Sequence, residues 1–454
     1  MLIYSIIQKS QLEGAKRLDA EYYQPEYLHA LEKIRKFPSG AHQITDMLSR
    51  QVVTGTTPKK RDCVGDGTDI KFVKTDVLRE GMILFDQAEC LPEKESRKNS
   101  EPKSGDILIT IIGATYDIVG RVARIYNDDP RMNINQNVVL LRPIDKTLSS
   151  YLSLFLQGRY GRDQLWQQSR QTEQVNLNCR EVENIIVPLP DSSFLKSIDE
   201  AVLKAHSQLG ESIKIYSQAE KMLLEELGLV DFEEEAGLWS VVKLSEARTA
   251  SRMDAEYFQP KYEKLEAALK KYGTKSLSEV IYNVPSTFLS EPNKTYRYVE
   301  LSDINSSLGV INSCTDILGK EMPSRARRLL KTGDVIVSSV QGSLGKVALV
   351  GREYSGAVAS TGFFQFRSKE ILPEVLLVIA KCTVLESQFE QRCAGSILTA
   401  VPKESIKSIL VPILSEKTQQ KIAELVRQSH EARAKAKQLL EDAKRKVEEL
   451  IEKR

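Results

Sequence analysis

Residues 17–27 read "RLDAEYYQPEY" and residues 252–262 read "RMDAEYFQPKY", identical at eight of eleven positions across a separation of 235 residues. The match extends backwards in register, with "YSIIQKS" from Tyr4 answering "WSVVKLS" from Trp239. Further on, "SGDILITIIGATYDIVGRVA" (104–123) answers "TGDVIVSSVQGSLGKVA" (332–348), and "ENIIVPLP" (183–190) answers "KSILVPIL" (407–414), by which point the separation is 224. That separation holds without a gap from Ile198 to Leu223, pairing Ile198 with Ile422, Val202 with Val426, Ala219 with Ala443 and His206 with His430. A period this long, present twice, denotes a duplicated domain and excludes solenoid repeats of about 20–50 residues.

Each copy has two parts. The first mixes short β-branched runs ("DILITII", "NVVLL", "DVIVSSV", "GFFQF"), bounded by Gly, Asn and Pro, with helical stretches, and reads as a mixed α/β globule. The second is a long helix. In the first copy Leu195, Ile198, Val202, Ala205, Leu209, Ser212, Tyr216, Ala219 and Leu223 recur at alternating spacings of three and four, the pattern of a coiled-coil seam. The second copy offers Ile422, Val426, Ser429, Arg433, Ala436, Leu440, Ala443, Val447 and Leu450, with Arg433 the one poor seam residue. Asp191 to Ser193 and Ser415 supply N-cap chemistry. The expected organisation is a first globule over 1–190, a first helix over 191–228, a linker over 229–238, a second globule over 239–413 and a second helix over 414–454. The "DAEY(Y/F)QP" segment opens each globule, with Pro25 and Pro260 suited to a first helical position and the aromatics to packing.

With 454 residues, 41% of them hydrophobic and 28% charged, the chain has the composition of a folded protein of two or more domains. The 64 basic residues nearly cancel the 62 acidic ones, leaving +2, so attraction to nucleic acid must come from the distribution of charge. No apolar run reaches the roughly 18 residues that span a bilayer, and "MLIYSIIQKS" is too short and polar for a signal peptide; a cytoplasmic location is expected. Six dispersed cysteines without a CxxC pair suggest buried reduced thiols, and four histidines form no metal-ligand pattern.

Catalytic motifs are missing from the sequence. "GSLGKV" (342–347) lacks the first glycine and the final Ser or Thr of a phosphate loop. Neither an (N/D/S)PP(Y/F/W) loop, a nuclease carboxylate set nor a Ser/His/Asp set can be assembled, so no catalytic centre and no metal are expected in this chain. Polar and basic loops remain. "VTGTTPKKR" (53–61) offers Thr54, Thr56 and Thr57, backbone amides freed by Gly55, and Lys59, Lys60 and Arg61, a composition suited to phosphate. "PSRARRLLK" (323–331) brings Arg325, Arg327 and Arg328 together. "SRQTEQVNLN" (169–178) and "NINQN" (133–137) hold Arg170, Gln171, Gln174, Asn176, Asn135 and Gln136, types able to make bidentate contacts with base edges. Solvated charge runs and self-capping polar loops are the plainer alternatives for each stretch alone. Recurrence on two globules favours DNA.

The ordered set "TGTTPKK", "SGDILITIIG" with "TGDVIVSSVQGSLGKVAL", "NQNVVLLRP", "QVNLNCREVENIIVPLP" and "SEKTQQKIAELV" resembles the specificity subunit of Type I restriction-modification systems. The resemblance implies two target-recognition domains of mixed α/β fold, pseudo-two-fold related and separated by two long antiparallel coiled-coil helices. Each domain would read one half of a bipartite, asymmetric site in double-stranded DNA. Two methyltransferase subunits, which bind S-adenosylmethionine, would dock on the helices, and restriction subunits using ATP and Mg would join through them, leaving this chain without a cofactor. Lys74, Thr75, Ser339, Gln341, Ser343, Thr361 and Ser396 complete the candidate DNA contacts. The first copy departs from the pattern in "IIGATYDIVGRVA", three residues longer than its counterpart, and in lacking the glycine found at Gly395. With helices of about 30–35 residues, the rod would be roughly 45–55 Å long, suiting half-site centres about 10 base pairs apart. A scaffold joining two protein-binding domains is the rival reading.

Overall fold

The apolar runs become central strands because both of their faces are covered. In the computed structural model, which describes residues 4–15, 17–58, 70–79, 81–85, 87–170, 175–230, 232, 239–395 and 399–453, Ile107–Thr110 and Val138–Leu141 are buried along their whole length. Their side chains alternate between two cores, as a strand's period of two demands. Ile107, Ile109, Val139 and Leu141 pack with the helices Lys146–Gln157 and Arg159–Gln168. Leu108, Val138 and Leu140 pack with Val73 and Ile134 of a second sheet.

The chain divides into two units, Met1–Ser207 with Lys435–Arg454, and Gln208–Ala434. In the first, an antiparallel sheet runs in the order Val53–Thr54, Val138–Leu141, Ile107–Thr110, Val122–Arg124. A smaller sheet runs Met132–Ile134, Lys71–Val73, Glu89–Cys90. The second unit repeats both orders. Ile281–Asn283, Phe363–Ser368, Val335–Ser338 and Val347–Leu349 match the first sheet, extended by Val310–Ile311 and Ile304–Asn305. Val358–Ser360, Thr295–Val299 and Thr315–Leu318 match the second, extended by Ala326–Leu329.

Buried charge is duplicated too. Arg142 grips the buried Asp106 through Nε and Nη2 at 2.8 and 2.6 Å. Arg367 grips the buried Asp334 in the same way at 2.8 and 2.9 Å. Each aspartate also accepts a backbone N–H three residues upstream, from Lys103 and Lys331 respectively.

The long helices are Ser192–Leu227 and Glu416–Glu452. Asp191 Oδ1 accepts from the Ser193 and Phe194 amides at 3.0 Å, and Ser415 Oγ from the Thr418 amide at 3.2 Å, so both starts are capped by the residues the sequence offers. In the first unit Ile198 and Val202 share a core with Ala443, Val447 and Ile451. In the second, Tyr216, Ala219, Leu223 and Leu227 share one with Ile422, Ala423 and Val426. Early residues of one helix thus meet late residues of the other in each unit, which makes the pairing antiparallel. Two seam positions differ from the expected pattern. Ile451 is buried at the end of the second helix where Leu450 is only partly so. Arg433 is diverted out of the seam by a 2.5 Å hydrogen bond to Asn312 Oδ1, and Ala432 is buried beside it.

Pro25 and Pro260 are the first residues of the helices Pro25–Arg35 and Pro260–Lys270, where a missing N–H costs nothing. Of the cysteines, Cys382 and Cys393 are buried and Cys90, Cys179 and Cys314 are half-buried. Burial pushes the Cys382 thiol up to about 12. Among the described residues, no helix is long and apolar enough to cross a membrane and no cluster of His, Cys, Asp or Glu could hold a metal ion.

Candidate nucleic-acid interface

In the first unit the strand ladder gathers part of the expected set. Thr54 pairs with Val139 at the edge of the main sheet and is exposed. Thr56 bridges to Asn135, whose amide donates to the carbonyl of Val73, the neighbour of Lys74. Thr57 and Gln136 are exposed and Thr75 half-buried. The Lys74 ammonium, with 28% of its side chain accessible, lies 2.6 Å from Glu89 Oε1 and 3.9 Å from Asp76 Oδ2, so its charge is already answered by carboxylates. Thr56 and Asn135 are buried, and the Asn135 amide oxygen is occupied by the Asn137 N–H. They brace the loop and are not at its surface.

Gly55 plays a different part from the one expected. Its amide and that of Thr56 donate to the carbonyls of Asn135 and Ile134, so neither is free for phosphate. A Cβ at Gly55 would lie 1.9 Å from the Ile134 carbonyl oxygen; the glycine is there because two backbones touch. Lys59, Lys60, Arg61, Gln171, Gln174 and Ser396 lie outside the described residues.

Arg170 and Asn176 are the two feet of one loop, bonded to each other through their backbones. Both side chains face solvent, Arg170 with Nε 3.2 Å from Glu181 Oε1. The strand Val175–Asn176 pairs with Ile112–Gly113, which sets the second foot against "IIGATYDIVG". The three extra residues of that stretch are tied down. Arg162 donates to the carbonyls of Val119 and Tyr116 and lies over the Tyr116 ring, which meets Trp166 edge-on. Burial lowers the Arg162 guanidinium pKa and pushes the Tyr116 hydroxyl up to about 12.

In the second unit Arg325, Thr361, Ser339 and Gln341 come together. The Thr361 amide donates to the Arg325 carbonyl at 2.8 Å, and the Ser339 amide and hydroxyl both donate to the Gly362 carbonyl at 2.9 Å. The Gln341 amide donates to Thr399 O at 3.0 Å, and Val340 bridges to Ala400. Ser343 Oγ is shared between Ser338 and the Val340 carbonyl. Arg325 and Gln341 are exposed and Arg327 half-buried. Arg328 is not accessible: it is 3% exposed, donates to the Val284 carbonyl and has a buried Nε without a partner. Burial lowers its pKa to about 10. A guanidinium so placed cannot reach phosphate, which removes Arg328 from the candidate DNA contacts.

Sequence reasoning missed Arg97 and Lys98. They are exposed, and with Asn99 and Ser100 they face Thr54 and Gly55 across a cleft. "SRKNSEPKSGD" (96–106) stands in the register of "SRARRLLKTGD" (324–334), so Arg97 corresponds to Arg325. The signal was the shared serine–arginine pair eight residues ahead of the shared Gly-Asp.

Residues 43–218 match the family model described as the Type I restriction modification DNA specificity domain. Over this stretch the chain is similar to that DNA specificity domain. The resemblance to a Type I restriction-modification specificity subunit, drawn above from motifs, is borne out over those residues by that match. No curated protein matches the chain. Among solved structures, the chain is similar to the S subunit of a Type-I restriction-modification system from M. genitalium, at 13% identity and a TM-score of 0.39, covering 90% of this chain and 94% of that one. It is also similar to the HsdS subunit from Thermoanaerobacter tengcongensis, at 15% identity and a TM-score of 0.29, covering 92% and 96%.

Proposed function

We propose that the two units each read one half of a bipartite, asymmetric site in double-stranded DNA, and that the chain carries this recognition without a catalytic centre of its own. The observation that supports the reading most is the placement of Arg97 and Arg325 at the same position of two units of the same topology, each beside hydroxyl- and amide-bearing loops. Exposed arginines and lysines hold phosphate and fix register; Arg170, Asn176 and Gln341, on neighbouring loops, read base edges. Shared scaffold with unlike loops gives unlike half-sites. Two methyltransferase subunits carrying S-adenosylmethionine dock on the long helices, and restriction subunits using ATP and Mg join through them, in the cytoplasm. The test is retardation of a pool of duplexes by the full chain with its methyltransferase partner, as a function of salt. Sequence-selective retention with a steep salt slope is expected; no selection from the pool favours the protein-binding scaffold instead.

A further inference from the structure

The repeated opening segment takes no part in the interface above, yet it is the best-matched stretch of the two copies. In the first unit Arg17 holds Asp19 in a two-pronged ion pair, Nε to Oδ1 at 2.7 Å and Nη2 to Oδ2 at 2.6 Å, and lies 5.0 Å from the Tyr22 ring centroid. Its Nη1 donates to the Gln168 carbonyl at 3.0 Å and its Nη2 to the Ser169 carbonyl at 3.1 Å. Those residues end the helix Arg159–Gln168, and the last carbonyls of a helix have no intrahelical partner and carry partial negative charge. The very next residue is Arg170, the first foot of the recognition loop. Gln167 adds a bond from Nε2 to the Tyr22 carbonyl at 2.7 Å.

The second unit repeats the arrangement, with one helix-end carbonyl in place of two. Arg252 holds Asp254 at 2.6 Å through both Nε and Nη2, lies 5.0 Å from the Tyr257 ring centroid, and donates to the Cys393 carbonyl at 3.1 Å. Gln391 Nε2 donates to the Tyr257 carbonyl at 3.1 Å. Cys393 is the cap of the helix Thr383–Arg392, and Ala394, bonded to Ala400 in both directions, is the next foot. Each loop is then sewn to the same sheet edge, by the Leu177 amide to Ile111 O and by the Val401 amide to Ser339 O, both at 2.8 Å. Between the copies the loops are unlike ("RQTEQVN" against "AGSILTA"), whereas Arg, Asp, Tyr and Gln of the clamp are kept.

We infer that Arg17 and Arg252 are positioning residues: each clamps the helix end from which its own unit's recognition loop departs, and so sets how that loop is presented to DNA without touching DNA itself. The clamp needs arginine, since one planar fork serves a carboxylate and helix carbonyls at once, and a lysine ammonium cannot. What the loops read rests on the function proposed above; that they are clamped does not.

The test uses the full chain with its methyltransferase partner and compares Arg17→Ala, Arg17→Lys and Arg252→Ala by amide hydrogen exchange and by discrimination between the mapped site and duplexes changed at one base of either half-site. Arg17→Ala is expected to speed exchange of the Arg170 and Asn176 amides about tenfold, as loss of charge-assisted bonds implies, with Ala394 and Ala400 unchanged. It is expected to lower discrimination by about the same factor in one half-site only, with an unaltered salt slope. Arg252→Ala should do the converse, and Arg17→Lys should resemble Arg17→Ala. Unchanged exchange, or loss at both half-sites alike, would overturn the inference; a shallower salt slope would make Arg17 a phosphate contact and overturn it too. Faster exchange with unchanged discrimination, together with a silent Arg170→Ala, would overturn the loop's place in the DNA reading and not the clamp.

Discussion

Arg325, Arg327 and Arg328 are written within four residues of one another and end in three environments. Arg325 is exposed, Arg327 turns its Nε back to the Ser324 carbonyl, and Arg328 is buried in the strand Ala326–Leu329. The sequence shows three cations and no hint of the split, because a strand's alternation depends on which neighbours cover each face. Replacing Arg325 and Arg327 by Ala is expected to make the log–log salt slope of DNA binding shallower by up to about 1.8, at about 0.9 per phosphate contact. Arg97→Ala should act likewise from the first unit. Arg328→Met should leave the slope alone and raise or preserve the urea midpoint, since it removes a buried charge that, among the described residues, no carboxylate answers. A slope changed by Arg328→Met would return that residue to the interface.

His430 is legible only as a repeat partner of His206, and its environment is not. Burial, first, and then Arg433 hold its pKa below the ordinary histidine value, against the Leu308 carbonyl 3.0 Å from Nε2, with Glu374 and Glu353 acting weakly the other way. A folded-state pKa lowered for a base means that the unfolded chain takes up the proton first. The stability His430 contributes is therefore full above the unfolded value of about 6.5 and is lost as pH falls through the folded one. Urea midpoints measured from about pH 7 down to about pH 5 should fall more steeply for the natural chain than for His430→Gln; parallel curves would contradict the assignment.

Among elements, the long helices were the most legible, since a spacing of three and four needs no knowledge of the partner. The sheets were legible as apolar runs, but their order was not: pairing is long-range, and the duplication itself is what shows that Ile107–Thr110 and Val335–Ser338 hold the same place. Ser212 and Ser429 were read only as small seam residues. They are fully buried and exchange hydrogen bonds, each hydroxyl donating to the other's carbonyl at 2.8 Å. Removing one hydroxyl should cost about 1 kcal/mol, the usual net worth of such a bond. Ser212→Ala combined with Ser429→Ala should cost less than the sum of the two singles, as partners in one network do. Strict additivity in a urea-melt double-mutant cycle would show the two bonds to be independent.

The whole molecule is one plan written twice, and the seam shows what each half needs. The first unit's core takes Ala443, Val447 and Ile451 from the second helix. By the repeat these correspond to Ala219, Leu223 and Leu227, which the first copy carries itself. A fragment ending near Val230 should accordingly pair with a second copy of itself and, with the methyltransferase partner, direct methylation to a palindrome of one half-site. A monomeric fragment would show the halves not to be interchangeable. For the complete chain, helices of 36 and 37 residues are about 54 Å long at 1.5 Å per residue.

Genome-wide mapping of methylated bases in cells expressing the full chain with its methyltransferase partner puts this plan to its most direct test. Two unlike half-sites are expected, separated by bases of no fixed identity, with loop substitutions in one unit altering one half-site alone. A single contiguous motif, or one whose halves respond together to changes in either unit, would contradict the account.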